Sequence, residues 1–295
     1  MPSIIVTEYT DAGCPWAWSA EPMKWRLRWS YGDALAWRPR LIVLAAGRDD
    51  YARRGFTTER MAAGLARFSR EYGMPVETAQ RPRMGATAPA ARAVVATRLH
   101  ASNELALAFL RRLRVHAMTD ADALLDEDAT ILAAAREAGI DAAVLERWLA
   151  DPAVEQALRD DMAAARAPGP AALALRHKLA QTPEGGWRYT APSLVFTRTR
   201  DGQTLEAPGF QPALAYEVAI ANLEPALERR APPASIEELL AWAGEPLATR
   251  EVAEVMGVSL DDARTALAAA TGAVERPAGT DAFWSLDAAE LAQAA

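Results

Sequence analysis

Tyr9-Thr10-Asp11-Ala12-Gly13-Cys14-Pro15-Trp16-Ala17-Trp18-Ser19 decides the fold of this 295-residue chain and contains its only cysteine. The stretch follows the β-branched run Ile4-Ile5-Val6-Thr7 and leads into a helical pattern. A strand, a glycine turn and Cys-Pro opening a helix place the thiol at a helix N-terminus. There, unpaired N–H groups and the helix dipole favour a thiolate. The spacing therefore predicts a Cys14 pKa below the ordinary ~8.5. Pro15 suits the first helical position, where its missing N–H would have had no partner.

Outward from this stretch, Ser3 to Glu8 reads as a buried strand and Pro15 to Tyr31 as one helix. Trp18, Pro22, Trp25 and Trp29 share a face of that helix, which predicts core packing, and Lys24, Arg26 and Arg28 fall largely off it. Leu35 to Ala45 reads as a second strand, giving a β-α-β unit with parallel strands. A long helical interval follows, with segments from Thr57 and at about 89–101, 103–117, 127–138, 141–150 and 152–165. Asn103 and Asp141 are the expected caps, and Gly139 an expected stop. The next strand comes at Ser193-Leu194-Val195-Phe196, and Asp201-Gly202 turns the chain into a fourth strand. Gln211 to Arg229 closes the unit as a helix. Beyond Ala231-Pro232-Pro233-Ala234, three short helices and a hairpin near Pro277-Ala278-Gly279-Thr280 follow the order of a winged helix. The expected class is α/β. Residues 1–230 form one domain with a helical insertion at about 48–185, and residues 235–295 form a winged-helix-like module.

Composition bounds the function. Apolar residues make up 51% of the chain and the net charge is −7. From Ser235 onward three arginines face eleven acids, so the acidity belongs to the tail. That tail should repel a duplex, and the candidate recognition helix opens with Asp261-Asp262. A contact role for the tail is expected, on the rest of the chain or on a second copy in a homodimer, with no nucleic acid as partner. No apolar run is long enough for a membrane span, and the first residues carry no secretory pattern. One cysteine cannot form an internal disulfide, so the expected compartment is the cytoplasm. His100, His116 and His177 show no ligand spacing, and no metal site is expected.

Four landmarks in order carry a family resemblance. They are Asp11-Ala12-Gly13-Cys14-Pro15-Trp16, Glu21-Pro22, Ala191-Pro192-Ser193 and Ala207-Pro208-Gly209-Phe210-Gln211-Pro212. Over about 1–230 the chain resembles the DsbA-like thioredoxin family, which includes kappa-class glutathione transferases and 2-hydroxychromene-2-carboxylate isomerases. The resemblance implies a thioredoxin fold, a cis bond before Pro192 facing the nucleophile, and an Ala191 backbone able to pair with an extended thiol substrate. The redox members carry Cys-x-x-Cys, whereas position 17 here is Ala.

The expected site is Cys14 as the reacting group, with Pro15, Trp16, Ala17, Ala191 and Pro192 around the substrate. Trp16, off the tryptophan stripe, is expected to line the cleft. Arg81, Arg83 and Thr87 are candidates for an anionic ligand, against a solvated loop. His100 and His116 read as helix-terminal charges. Three functional readings stay open. Cys14 exchanges with a small disulfide and an external thiol of glutathione or mycothiol type resolves it. Alternatively, the site holds such a thiol as cofactor for an isomerase or transferase acting on a small apolar or aromatic substrate. In the third reading the domain is a binding protein without catalysis.

Overall fold

A computed structural model describes residues 1–287. Strand β1 (Ile4–Thr10) runs parallel to β2 (Leu35–Leu41), with Ile4 opposite Leu35. Two helices, α1 (Pro15–Ser19) and α2 (Glu21–Tyr31), stand where one was expected. Pro22 explains the break at Ala20, because its ring lacks an N–H and clashes with the carbonyl four residues back. Strand β2 ends at Leu41, short of Ala45. Val43 has φ +50°, a left-handed conformation that a β-branched residue adopts only under constraint. The next backbone N–H groups, of Leu44 and Ala45, bond to the side chains of Asp11 and Thr87.

The interval is helical as the spacing predicts. It comprises α3 (Asp50–Arg53), α4 (Thr58–Tyr72), α5 (Ala88–His100), α6 (Asn103–Thr119), α7 (Asp128–Glu137), α8 (Ala142–Leu149), α9 (Ala153–Ala165) and α10 (Pro170–Ala174). Asp141 caps α8, whereas α6 is capped by Ser102 rather than Asn103, through Leu105 N–H at 3.1 Å. Small residues on α5 let it sink among its neighbours, with Ala90, Ala93, Val94, Val95 and Ala96 fully buried against Phe109, Leu110 and Leu113 of α6. The chain then makes a short hairpin, β3 (Leu179–Gln181) and β4 (Trp187–Tyr189), that sequence periodicity did not predict. Three residues per strand are too few to show alternation.

Strands β5 (Ser193–Arg198) and β6 (Thr204–Ala207) complete a sheet of order β2-β1-β5-β6, with β5 antiparallel to β1. Helix α11 (Ala213–Leu223) packs Tyr216, Ile220 and Leu223 against Ile4, Val6 and Phe196 of that sheet. It is shorter at both ends than the expected 211–229.

The tail contains α12 (Ile236–Ala243), β7 (Leu247–Ala248), α13 (Thr249–Met256), α14 (Leu260–Ala269), β8 (Ala273–Ala278) and β9 (Asp281–Leu286). Its three strands pair in the order β7-β9-β8. Trp25 and Trp29 are buried, as their spacing predicts, but their partners are Leu239, Leu240, Val252 and Trp284 of the tail. The Trp242 ring meets both edge-on, at 5.8 and 5.0 Å between centroids. The β8–β9 turn docks on the insertion through Thr280 N–H to Val76 O at 3.0 Å. Gly279 is required there, since a Cβ would collide with the Val76 backbone.

A buried ionic network also joins the tail to the rest of the chain. Lys24, expected off the buried face, pairs with Glu8 at 2.9 Å and Glu21 at 3.1 Å. Arg114 reaches Glu8 at 3.1 Å and also bonds Glu21 and Thr10. Arg111 binds Glu251 of α13 through two bonds of 2.6 and 2.8 Å. Arg114 and Glu8 are fully buried. Charges removed from water persist only when paired and hydrogen-bonded, so the network ties β1, α2 and α6 to the tail. Among the described residues, no helix is long and apolar enough to cross a membrane.

Candidate functional site

Asp11, just beyond β1, organises the turn that presents Cys14. Its carboxylate accepts from Gly13 N–H at 2.7 Å, Leu44 N–H at 2.8 Å and the Thr87 hydroxyl at 2.7 Å. Asp11 is fully buried, and its pKa is raised by that burial against the opposing effect of these bonds. Gly13 is needed for close approach, because a Cβ would lie 2.9 Å from the Thr87 methyl. Cys14 then caps α1 in an extended conformation, with Pro15 in the first turn. Trp18 N–H closes the first helical bond on Cys14 O at 3.0 Å.

The thiol faces the other half of the fold. Cys14 Sγ donates to Ala191 O at 3.2 Å, and the Ala191–Pro192 bond is cis. Ser193 fixes this loop, donating to Thr190 O at 2.7 Å and accepting from Gly209 N–H at 2.9 Å. Cys14 packs among Tyr9, Ala17, Ile42, Ala165, Tyr189 and Ala191 and is only 5% exposed. Tyr9 and Tyr189 stack with ring centroids 4.5 Å apart.

This environment overturns the expectation of a lowered thiol pKa. Burial pushes the Cys14 pKa up to about 11. The N–H groups of Ala17 and Trp16 do pull it down, as a helix start should, but desolvation outweighs them. Helix α1 is also only five residues long, so its dipole is small. The resting thiol is therefore neutral, consistent with its role as donor to Ala191.

Ala17 is fully buried. Trp16 is 37% exposed, off the stripe as expected. Its ring packs with Phe68 at 4.7 Å and with Tyr72 and Phe210, each at 5.4 Å, forming an aromatic wall beside Cys14. Pro15 is half-buried and Pro192 buried, and of the sequence-predicted residues Cys14 and Ala191 are in direct contact.

The loop candidates do not bind as free groups. Arg83 is held by Asp126 at 2.9 Å and by Glu127, and Thr87 is spent on Asp11. Arg81 donates to the carbonyls of Ala117 and Ala123. His100 and His116 stand in the last turns of their helices, 3.0 Å from Asp151 and Glu137 respectively. Among the described residues no group of side chains is arranged to hold a metal ion.

Sequence reasoning missed Tyr51, Arg54 and Arg188. Tyr51 lines a cavity of about 50 Å³ together with Gly13, Leu65, Arg81 and Met84. Arg54 lies 4.8 Å over the Tyr51 ring and donates to Leu44 O at 2.6 Å. Arg188 donates to Tyr189 O at 2.8 Å, two residues from Ala191. All three sit in short or irregular segments without periodicity. Only the charge of the two arginines was visible beforehand.

Solved structures that resemble the chain include three disulfide-related proteins. A putative protein disulfide isomerase from Nitrosomonas europaea has TM-score 0.53 and 16% identity, with 75% of this chain and 95% of that one covered. A probable DsbA oxidoreductase from Streptomyces coelicolor has TM-score 0.53 and 21% identity, covering 79% and 94%. The cytosolic disulfide reductase DsbM from Pseudomonas aeruginosa has TM-score 0.50 and 18% identity, covering 76% and 98%. At these identities the likeness concerns the fold alone. No curated protein sequence matches the chain significantly. The family model of the DSBA-like thioredoxin domain matches residues 5–169, more than half of the chain and inclusive of Cys14, so the chain belongs to the DSBA-like thioredoxin domain family.

Proposed function

We propose that this chain performs single-thiol exchange at Cys14, with a low-molecular-weight thiol of glutathione or mycothiol type as co-reactant. The observation that carries this reading is the placement of Cys14 Sγ 3.2 Å from Ala191 O, with a buried Ala17 where a resolving thiol would stand. The named activities of the three similar structures, disulfide isomerase, oxidoreductase and reductase, support the same chemistry. The Cys14 thiolate attacks a disulfide, forms a mixed disulfide and releases one thiolate. An external thiolate then attacks that mixed disulfide and restores Cys14.

The raised pKa sets the pace. At pH 7 about one thiol in 10⁴ is ionised if its pKa is near 11. A more basic thiolate is a stronger nucleophile, with a Brønsted slope of about 0.4–0.5, so the net loss against an ordinary thiol is roughly twenty- to thirtyfold. A basic thiolate is also a poor leaving group, which favours a persistent adduct. Incubation with oxidised glutathione, followed by intact mass measurement, tests this. One adduct, absent in Cys14→Ser and removed by excess small thiol, is expected. An unmodified protein after long incubation at pH 9 would contradict the reading.

A second reading draws on the same neutral thiol. An Sγ–H group is a hydrogen-bond donor at neutral pH and suits holding the thiolate of a bound cofactor in an isomerase or transferase. Binding of reduced glutathione without adduct formation, with new thiolate absorption in the ultraviolet, would favour it.

The reading extends to the tail as a winged-helix-like module with a packing role, in a cytoplasmic protein that binds neither nucleic acid nor membrane. Asp261 and Asp262 in the first turn of α14 support that role. The outward surface of the tail is the proposed homodimer contact. Micromolar, salt-sensitive duplex binding in a gel-shift titration would contradict the reading of the tail.

A further inference from the structure

The apolar cluster around Cys14 is bordered by arginines. Arg166 follows Ala165, which packs in the same cluster as Cys14. Arg188 lies between Trp187 and Tyr189, which also pack there, and its guanidinium rests on Tyr189 O. Arg54 rests on the carbonyl of Leu44, whose N–H bonds Asp11 in the turn that presents Cys14. Arg176 and Lys178 continue this border, at 5.9 Å from the Trp187 ring and 3.3 Å from Phe210 O respectively.

Among the described residues, none of these five cations has a carboxylate within 4.0 Å. The neighbouring acids are engaged elsewhere. Asp50 pairs with Arg53, and Asp161 with Arg40 and Arg98. Glu206 accepts from the Tyr189 hydroxyl and the N–H groups of Gly169 and Ala172. Asp11 is saturated by its three donors. Glu184, the acid that Arg166 influences, is fully exposed in the β3–β4 turn. Many other arginines of the chain, such as Arg83, Arg98, Arg111 and Arg114, are paired with carboxylates. Here Arg54 and Arg188 rest on backbone carbonyls, and their charge is left without a carboxylate partner.

We propose that Arg54, Arg166 and Arg188 form an anion-selecting rim around Cys14, so that the site takes carboxylate-bearing thiols and disulfides in preference to neutral ones. This rests on the reading of Cys14 as an exchange thiol and names its substrate class. Unpaired like charges around a low-dielectric cleft focus the field and raise the local concentration of the opposite charge. The mutual repulsion is visible at Arg188, whose pKa is lowered by burial and then by Arg166 and Arg54. An entering carboxylate relieves that repulsion, whereas a neutral sugar-borne thiol does not.

The test compares alkylation of Cys14 by iodoacetate, an anion, with iodoacetamide, its neutral counterpart, on the full chain at pH 9.5. The rate ratio, normalised to that of a free model thiol, should exceed one by about tenfold, within the 10–10³ range of electrostatic steering. It should fall toward one in the Arg54→Gln/Arg188→Gln variant and in about 0.5 M salt, where the screening length is ~4 Å. A melting curve checks that the variant is folded. A ratio at or below one, a ratio unchanged in the variant, or no alkylation by either reagent would overturn the proposal. A panel of anionic, neutral and cationic disulfides separates it from the reading it rests on. Adducts with all three at equal rates would overturn the rim and leave exchange standing. A tenfold alkylation ratio with no disulfide adduct would support the rim and contradict exchange.

Discussion

Two buried sites of this molecule treat ionisable groups in opposite ways. At Cys14 one thiol is enclosed by apolar side chains with a single carbonyl as its partner, and burial drives it neutral. At the junction with the tail, Glu8, Glu21, Lys24, Arg111, Arg114 and Glu251 are equally hidden. Burial works against ionisation there too, yet Lys24 and Arg114 overcome it and hold Glu8 and Glu21 below the ordinary carboxylate range. Depth alone does not set protonation. Partners decide it at Glu8 and Glu21, whereas at Glu251 burial still outweighs Arg111 and raises the carboxyl, so Cys14 and the Glu8–Glu21 pair respond oppositely to pH.

The largest effect is expected at the ionic junction. Arg111→Ala strips the buried Glu251 of its cation, whereas Glu245, partly exposed, keeps Arg112 at 3.1 Å. A loss of about 3–5 kcal/mol is expected in urea unfolding. Arg111→Met with Glu251→Leu removes both charges together and should recover much of it. A loss below about 1 kcal/mol in Arg111→Ala would erase the contrast between the sites.

The pH profile is the next measure. Glu8 and Glu21 have depressed native pKa values, so their contribution is present above the unfolded value near ~4.3 and is lost as pH falls through the native one. Cys14 has a raised pKa, so its contribution is present below ~8.5 and is lost as pH climbs toward about 11. About 2.5 units between these limits correspond to about 3 kcal/mol. Cys14→Ala should abolish that alkaline loss without touching the acid limb. An unchanged alkaline limb in urea titrations would contradict the buried thiol.

The thiol half of this comparison was largely legible in the sequence, and the ionic half was not. The β-α-β start, the landmarks from Cys14 to Pro192 and the burial of Trp25 and Trp29 all follow from local pattern. What Trp25 and Trp29 pack against does not, because a helical stripe records a buried face and not the partner that covers it. Lys24 looked solvated for the same reason, since its acids Glu8 and Glu21 come from a strand and from its own helix. The thiol pKa was misjudged because a helix start is visible in sequence and desolvation is not.

A smaller effect is expected at Ala17. Its full burial means that Ala17→Cys adds a sulfur to a filled site, at a cost of about 1–3 kcal/mol. On oxidation the variant should form a disulfide between Cys14 and the introduced thiol, and it should reduce insulin where the wild type does not. Equal insulin reduction by both would show that Cys14 already acts with a second group. The smallest effect is expected at Trp16, half in solvent against Phe68, Tyr72 and Phe210. Trp16→Ala should cost about 1 kcal/mol and raise the alkylation rate of Cys14 by uncovering it. A slower rate would show that the ring guides reagents in.

The central claim, that packing rather than the helix start governs this thiol, is tested most directly by the rate of iodoacetamide alkylation of Cys14 from about pH 6 to about pH 12, a window chosen to bracket both the free-thiol and the buried-thiol pKa. The rate should rise tenfold per unit through pH ~8.5 and level off only near pH 11. A plateau reached at or below pH ~8.5 would show a thiolate stabilised at the helix N-terminus and contradict it.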